Sequence, residues 1–281
     1  MASSTSGSPG SRALRSVADA YGIAPSRALG QHFLTDPNLA AAIAHDAGVG
    51  EGTRVVEIGA GLGSLTIALA DAGAERVLAI EFDRALLPAL RAAVADRSSV
   101  EVLAADATKV GWRSVLADGS WIGCGNLPYN VGTEIVLDLL ERAPMVERLV
   151  VMVQSEVAER FAATTGDPGY GPTGIRIAYS GTVELVRRVP REVFWPRPSV
   201  ASAVVRITRH DRPPVDVDPE RLFRVVDEAF GQRRKTIRAA VRRLGVPDPD
   251  ALLAEADVSS GSRPEQLALG DFARIAEALP A

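Results

Sequence analysis

The sequence predicts an α/β fold in which a mostly parallel, doubly wound sheet is followed by a small all-helical domain. From Thr53 onward, short runs rich in β-branched residues alternate with amphipathic segments of helical spacing. This repeated order of strand and helix is typical of a parallel sheet that helices cover on both faces. Beyond residue 219, helical segments follow one another without a strand between them. We therefore expect the sheet domain first and the helical domain second.

Each element follows from its local pattern. The predicted parallel strands are residues 54–58, 77–81, 100–104, 121–125 and 148–153, and the helices between them are residues 64–72, 84–95 and 133–142. Two later strand-like runs, residues 182–189 and 203–208, would close the sheet as an antiparallel pair. After a proline-containing linker at residues 211–219, the predicted helices are residues 220–230, 234–244, 251–256 and 271–279.

Three regions are predicted from these elements. Residues 1–25 form an N-terminal extension whose first dozen residues are of low complexity, so we expect it to be partly disordered. Residues 26–212 form the sheet domain, and residues 213–281 form the helical domain. A chain of 281 residues with 47% hydrophobic side chains is long enough to bury the core that two such domains need.

The composition argues against several classes of protein. No apolar run approaches the roughly 20 residues that span a bilayer, and the polar N-terminus does not resemble a signal sequence. We therefore expect a cytoplasmic protein that does not bind membranes. The single cysteine, Cys124, has no disulfide partner and no neighbours at metal-ligand spacing, so we expect no bound metal.

The charge is unevenly distributed along the chain. The formal net charge is -4, yet residues 175–243 contain 16 Lys and Arg against 8 Asp and Glu, whereas residues 1–174 contain 13 against 20. Such a basic stretch indicates either contact with phosphate groups or a solvated arginine-rich surface. The sequence pattern alone leaves both interpretations open.

A glycine-rich turn follows the first predicted strand. Glu57 is followed by glycines at 59, 61 and 63, in the place where open α/β sheets bind nucleotides. The third glycine stands one position earlier than in a dinucleotide fingerprint, and an acidic residue beside the turn disfavours phosphate. The pattern suits a cationic cofactor, and S-adenosylmethionine carries both a sulfonium and an amino group. The alternative is that these are only turn glycines.

Acidic residues end the next two strands. Glu81 ends the second strand, where a carboxylate can accept hydrogen bonds from both hydroxyls of a ribose. Asp106 follows the third strand and would accept the adenine amino group of the cofactor, or would cap a helix. Together with the glycine turn, these strand ends predict one cofactor site.

The tetrapeptide Asn126-Leu127-Pro128-Tyr129 follows the fourth strand. Adenine N6 is a poor nucleophile because its lone pair is delocalised into the ring. The Asn126 side-chain oxygen and the Leu127 carbonyl would accept the two N6 hydrogens and direct the lone pair at the methyl donor, while Pro128 stiffens the loop. Tyr129 would stack on the base, which typically contributes about 1–3 kcal/mol. The alternative is a proline turn that caps a helix.

These residues, in this order, resemble the small-subunit ribosomal RNA adenine dimethyltransferases, the KsgA-like family, over nearly the whole chain from about Ala28. Further matching segments are residues 30–34 (GQHFL), 153–157 (VQSEV), 194–198 (FWPRP) and 230–237 (FGQRRKTI). The resemblance implies a Rossmann-like class I methyltransferase that uses S-adenosylmethionine. It also implies that the substrate is 16S rRNA in the immature small subunit, dimethylated at N6 of two adjacent adenines in the 3′-terminal hairpin loop. We expect a monomer.

The resemblance also assigns residues to roles. It implies that Phe194 stacks on the target adenine opposite Tyr129, beside the catalytic residues Asn126, Leu127 and Pro128. Cofactor contacts are implied for His32, Leu34, Glu57, Gly59, Gly61, Glu81, Asp106 and Asn126.

Several positions depart from the family pattern. Ser155 and Ser199 stand where lysine is usual, Ala201-Ser202 stands where an acid and a serine are usual, the loop at residues 166–174 differs, and His32 replaces the commoner asparagine. The two serines remove expected phosphate contacts. Because phosphate contacts tolerate relocation, we expect other cations to replace them: Arg187, Arg188, Arg191, Arg233, Arg234, Lys235 and Arg238.

Other functions share part of this pattern. A resistance-type 23S rRNA adenine methyltransferase has the same catalytic loop, but residues 233–236 (RRKT) argue against it. A DNA adenine methyltransferase usually carries a larger base-reading domain than the segment after the linker. An RNA-binding assembly factor without activity is the non-enzymatic alternative, and the intact Glu81, Asp106 and Asn126 argue against it.

Overall fold

The computed structural model describes residues 10–26, 29–116 and 119–280 of the chain. These residues divide into two compact units. The sheet unit comprises the chain up to Ala158 together with Glu184–Arg209. The helical unit comprises Glu159–Val183 and the chain from His210 onward.

The strands lie close to their predicted positions, with ends that shift by one or two residues. In the described part of the chain they are β1 (Phe33–Leu34), β2 (Arg54–Ile58), β3 (Arg76–Glu81), β4 (Val100–Ala104), β5 (Trp121–Asn126), β6 (Val146–Gln154), β7 (Gly181–Val189), β8 (Phe194–Trp195) and β9 (Ser202–Arg209). The short strands β1 and β8 have no counterpart in the sequence-based assignment, because two residues are too few to show a period.

The helices include several that the periodicity does not predict, namely α1, α2, α5, α7 and α8. The α-helices in the described residues are α1 (Ser11–Ala20), α2 (Pro37–Asp46), α3 (Ser64–Asp71), α4 (Leu87–Ala93), α5 (Trp112–Val115), α6 (Gly132–Arg142), α7 (Ser155–Ala162), α8 (Pro172–Ser180), α9 (Pro219–Phe230), α10 (Ile237–Arg243), α11 (Pro249–Glu255) and α12 (Leu269–Ala278). No helix among them is both long enough and apolar enough to span a membrane.

The main sheet of the described residues has seven strands in the order β4-β3-β2-β5-β6-β9-β7. Strands β2 to β6 pair in parallel, and β9 runs antiparallel to β6. The His210 amide donates to the Ser180 carbonyl at 3.0 Å, which places the end of β9 beside the start of β7. The predicted α/β class, with a mostly parallel sheet and C-terminal helices, is confirmed. Because β3 and β5 flank β2, the strand order reverses there, and the carboxyl ends of these strands border a crevice.

The N-terminal extension contains a helix instead of only disordered chain. Residues 1–9, which hold most of the predicted disorder, lie outside the described residues. In α1, Leu14 and Ala18 are fully buried and share a small core with Phe33, Leu62 and Leu86. These two side chains are four residues apart and therefore lie on one helix face. Burial against the sheet unit accounts for a helix that a polar, small-residue sequence does not suggest.

The boundary between the units differs from the predicted one at residue 212. Residues 159–183 group with the C-terminal helices, because Tyr170 and Ile175 are buried in the same core as Leu222 and Phe272. The Tyr170 hydroxyl also donates to the Leu267 carbonyl at 2.8 Å. A core shared by segments this far apart in the chain cannot be detected from local periodicity.

Arg209, the last residue of β9, holds the end of α6. Its guanidinium donates to the carbonyls of Leu140 at 2.7 Å, Val146 at 3.0 Å, and Leu139 and Ala143 at 3.2 Å. The last carbonyls of a helix lack partners within the helix, and a cation there also interacts favourably with the helix dipole. Arg209 therefore fixes α6, the helix that begins after the short loop following Asn126.

We expect Arg209→Met to lower the free energy of unfolding by roughly 2–3 kcal/mol, because several carbonyls lose a charged donor. Urea denaturation followed by circular dichroism measures this loss. Arg212→Met is the matched control, since Arg212 is exposed. An equal loss in both variants would contradict the capping role of Arg209.

Candidate active site

A cavity of about 240 Å³ opens at the carboxyl ends of the parallel strands. Its walls are the loops after β2, β3, β4 and β5, together with residues 29–33. The structure brings most of the predicted site residues to this cavity: His32, Gly59, Gly61, Glu81, Asp106, Asn126, Leu127, Pro128 and Tyr129. The strand order alone places these segments together, as the sequence-based argument expects.

The glycine turn has a backbone that other residues rarely adopt. Gly59 has a φ of 76° and Gly61 a φ of 59°, both in the left-handed region. A Cβ on Gly61 would lie 3.1 Å from the Phe33 ring, and one on Gly59 would lie 3.6 Å from the Asn126 carbonyl oxygen. The turn therefore lies against residues 30–34, which we call the N-terminal motif, and against the loop after β5. Little space is left for a side chain at Gly61.

Glu81 joins the glycine turn to the loop after β3. One carboxylate oxygen accepts the Gly61 amide at 2.8 Å and the other accepts the Asp83 amide at 2.7 Å. The side chain is buried, and this burial raises the pKa of the carboxyl above its usual value. A carboxylate oxygen can accept more than one hydrogen bond, so both retain capacity for ribose hydroxyls. The ribose contact itself stays a prediction.

Glu57 lies behind the turn, in a deeply buried position. It is 1% exposed, and its Oε2 has no hydrogen-bond partner in the described residues. Burial raises the pKa of this carboxyl to about 8, and the charge of Glu81 contributes to the rise. A small hollow of about 30 Å³ beside Glu57 is also lined by Leu34 and Asn126. Leu34 thus lies near the glycine turn but not in the main cavity.

Asp106 caps a 3₁₀ turn and also lines the cavity, while its contact with the adenine amino group of the cofactor stays a prediction. Its side chain accepts the Thr108 hydroxyl at 2.7 Å and the Thr108 amide at 3.1 Å, at the start of the 3₁₀ turn Ala107–Lys109. The Thr108 side-chain hydrogen bond is the main reason that the pKa of Asp106 is lowered. Lys109 contributes an ion pair at 3.2 Å. Asp106 is therefore held as a carboxylate at the cavity edge.

The loop after β5 presents two unused acceptors. Asn126 Nδ2 donates to the His32 carbonyl at 2.7 Å, which occupies the donor end of the amide. Among the described residues, neither Asn126 Oδ1 nor the Leu127 carbonyl oxygen accepts a hydrogen bond. The Leu127 amide donates to the Met152 carbonyl at 3.0 Å, and the Pro128 carbonyl accepts the Gly132 amide at 2.9 Å. Both flanks of the loop are thus held by hydrogen bonds.

Tyr129 is half-buried and fixed at both ends. Its hydroxyl is 2.8 Å from the Ser202 hydroxyl, and its ring centroid is 5.1 Å from that of His32. Burial raises the pKa of the phenol, so it remains neutral. The His32 ring is fixed in turn, because its Nδ1 lies 2.7 Å from the Pro196 carbonyl oxygen. Two aromatic rings therefore form one side of the cavity.

Phe194 is not brought to the cavity. It is 4% exposed, pairs with Leu34 between β8 and β1, and belongs to the core that also contains Ile43 and Val204. In this conformation a base cannot reach its ring. Stacking of Phe194 on adenine stays a prediction, and it would require this side chain to leave its core.

Some of the predicted phosphate-binding cations already have a hydrogen-bond or ion-pair partner in the protein, and others do not. Four are engaged by contacts within their own unit: Arg187 with Asp46, Arg191 with the Ser199 carbonyl, Arg233 with the Pro168 carbonyl and Arg238 with Asp250. Arg188, Arg234 and Lys235 are exposed and have no such partner in the described residues. The partner Asp46 is 141 positions from Arg187, so the charge count could not reveal this pairing.

Gln31 and Phe82 line the cavity, and neither of them has a role assigned from the sequence. Gln31 donates to Asp83 at 2.8 Å, which ties the N-terminal motif to the loop that follows Glu81. Phe82 lines the cavity and is 59% exposed, an unusual exposure for a large apolar side chain. The sequence does carry a signal for a role of Phe82 in the site, because this residue directly follows Glu81 at the end of β3.

Residues 25–280 match the model of the family described as ribosomal RNA adenine dimethylase. Relatives include the ribosomal RNA small subunit methyltransferase A of Rhodococcus opacus, which is 40% identical over 277 residues, covering 95% of this chain and 93% of that protein. The protein of the same name from Thermobifida fusca is 42% identical over 275 residues, with coverages of 95% and 94%.

Solved structures show the same fold. The crystal structure of the 23S rRNA methyltransferase ErmE aligns with a TM-score of 0.68 and 29% identity, covering 88% of this chain and 99% of that chain. A dimethyladenosine transferase from Plasmodium falciparum aligns with a TM-score of 0.75 and 24% identity, with coverages of 87% and 96%, and it supports the fold alone. The chain belongs to the ribosomal RNA adenine dimethylase family and is an S-adenosylmethionine-dependent methyltransferase of adenine in ribosomal RNA.

Proposed function

We propose that the protein dimethylates N6 of two adjacent adenines in the 3′-terminal hairpin loop of 16S rRNA, in the cytoplasm and on immature small subunits. The relatives named for the small subunit are about 40% identical, whereas ErmE, named for 23S rRNA, is 29% identical. The observation that carries the proposal is the pair of unused acceptors, Asn126 Oδ1 and the Leu127 carbonyl, at the edge of the cavity. We also propose that the protein acts as a monomer.

The residues around the cavity fit S-adenosylmethionine. When bound, this cofactor supplies an electrophilic methyl group on a positively charged sulfur. Gly59 and Gly61 would let the backbone approach it, Glu81 would accept the ribose hydroxyls, and Asp106 would accept the adenine amino group. Glu57, buried and short of a partner at Oε2, would become a carboxylate beside a cationic ligand.

The two acceptors would act on the target amine. The unmodified N6 carries two hydrogens, which Asn126 Oδ1 and the Leu127 carbonyl would each accept. Holding both hydrogens turns the nitrogen toward tetrahedral geometry and exposes its lone pair. After transfer the nitrogen is strongly acidic and loses its proton to water, so no basic side chain is needed. A singly methylated amine keeps one hydrogen, and one acceptor would then hold it.

The aromatic side of the cavity would hold the base. Tyr129 and His32 are fixed by hydrogen bonds to Ser202 and the Pro196 carbonyl, so their rings lose little freedom when a base stacks. An adenine in a hairpin loop is unpaired, which lowers the cost of moving it into a pocket. Of the predicted phosphate contacts, Arg188, Arg234 and Lys235 are the available ones, and we propose that they hold the RNA backbone.

We expect purified protein to transfer labelled methyl groups from S-adenosylmethionine to small subunits that lack these marks. Mass mapping of the modified nucleotides should show two adjacent dimethyladenines in the 3′-terminal hairpin loop. Large subunits incubated in parallel are the control. Label on large-subunit RNA alone would support the activity suggested by ErmE and contradict the proposal, and binding without label would support an assembly factor.

Glu57 should make stability depend on pH. Its pKa rises from 4.5 to about 8 on folding, so between these values the folded state holds a proton that the unfolded state has lost. The free energy of unfolding should therefore fall by up to about 1.4 kcal/mol per pH unit as the pH rises through this window. Glu57→Gln cannot titrate and should gain stability relative to the unmodified protein between pH 6 and pH 8, by roughly 2 kcal/mol in urea denaturation.

The same carboxyl should couple cofactor binding to proton release. Calorimetry near pH 7 in buffers of different ionisation enthalpy counts the protons released. We expect a proton release for the unmodified protein and none for Glu57→Gln, which should also bind S-adenosylmethionine more weakly. A stability difference that stays constant with pH would count against the assigned titration.

A further inference from the structure

Helix α1 lies against residues that line the cavity. Its buried side chains, Leu14 and Ala18, share a core with Phe33 and Leu86, and both of these also line the cavity. The helix is therefore part of the sheet unit and not a loose extension. Its outer face is held at a defined position beside the active site.

Two arginines occupy this outer face. Arg12 and Arg15 are exposed, and with Ser16 and Asp19 they line a shallow surface hollow. Neither arginine forms an ion pair with any described residue, including Asp19. Most of the other arginines considered for RNA binding have carbonyl or carboxylate partners, so these two guanidinium groups stand out as available donors. We call Arg12 and Arg15 the α1 basic face.

Trp195 connects this face to the catalytic loop. The Arg15 guanidinium lies 5.9 Å from the centroid of the Trp195 ring, whose centroid is 6.0 Å from that of Phe33. The next residue, Pro196, accepts a hydrogen bond from His32, whose ring lies against Tyr129. A few contacts thus lead from α1 to the aromatic side of the cavity. RNA whose base enters the cavity would have its adjoining nucleotides near this face.

The loop around Trp195 has no other free arginine in the described residues. Arg197 pairs with Glu192, and Arg191 donates to the Ser199 carbonyl at 2.9 Å. The exposed arginine next to the Trp195 ring is therefore Arg15 of α1.

We propose that the α1 basic face, together with Trp195, binds the single-stranded RNA next to the target adenine, with Arg12 and Arg15 on phosphates and Trp195 against a base. This inference rests on the proposed function and adds a second contact surface to it. A guanidinium can donate two parallel hydrogen bonds to a phosphate. Trp195 is only partly buried, and an arginine beside a partly accessible aromatic ring is typical of single-strand sites, where bases stack and cations follow the backbone.

The test measures the affinity of the full chain for small subunits that lack the methyl marks, over a series of KCl concentrations. The variant Arg12→Ala with Arg15→Ala should reduce the slope of log K against log salt by roughly 1 for each arginine. Arg15→Lys should retain the slope, because it keeps the charge. The affinity for S-adenosylmethionine, measured by calorimetry without RNA, should not change.

The matched control is Arg91→Ala with Arg113→Ala, which removes the same charge from exposed positions on α4 and α5. A second pair, Arg12→Gln with Arg15→Gln, keeps most of the side-chain length and guards against a folding defect in the alanine variant. An unchanged slope in both α1 variants, or an equal reduction in the control, would overturn the proposal. If the unmodified protein transfers no methyl group to these subunits, the proposed function is wrong. Normal methyl transfer combined with an unchanged salt slope in the α1 variants would contradict the α1 proposal alone.

Discussion

The hydrogen bond between the Asn126 side chain and the His32 carbonyl is the contact on which the active site depends. At 2.7 Å it occupies the donor end of the amide, and it therefore determines which end of Asn126 is left for a substrate. An amide turned the other way would present hydrogen-bond donors to an amine that also donates. The carbonyl of His32, 94 residues earlier in the chain, thus leaves the oxygen of the Asn126 amide, and not its nitrogen, to face the substrate.

The N-terminal motif at residues 30–34 also contacts other segments around the cavity. Gln31 bonds to Asp83 after β3, the His32 ring bonds to Pro196, and Phe33 pairs with Trp195 between β1 and β8. The motif therefore joins the cofactor side of the cavity to the catalytic loop and to the segment at residues 194–198. Methyl transfer needs donor and acceptor within contact distance, so a segment that contacts both sides has a direct effect on the reaction geometry.

The sequence predicted the sheet well because its strands carry a strong local signal. Four of the five strands from β2 to β6 contain two or more β-branched residues, β5 being the exception. The functional residues stand at the strand ends, where a parallel sheet brings them together. Asp106 shows the limit of a local pattern. The pattern offers a helix cap or a contact with the cofactor's adenine, and the structure shows the cap together with a position at the cavity edge.

The features that the sequence did not predict depend on long-range contacts. Helix α1 is ordered by burial of Leu14 against Phe33 and Leu86, and Phe194 lies in a core built from distant segments. Arg187 was expected at the RNA, yet it pairs with Asp46. A count of charges or a helical periodicity cannot show which distant residue a side chain will contact.

The most direct test of the account is a comparison of transfer rate and cofactor affinity in Asn126→Ala. We expect single-turnover methyl transfer to fall by at least about a hundredfold, because an acceptor that acts in the transition state is lost. Calorimetry should show that S-adenosylmethionine still binds with nearly the original affinity. An equal loss of both quantities, or an unchanged transfer rate, would contradict the role given to the asparagine oxygen.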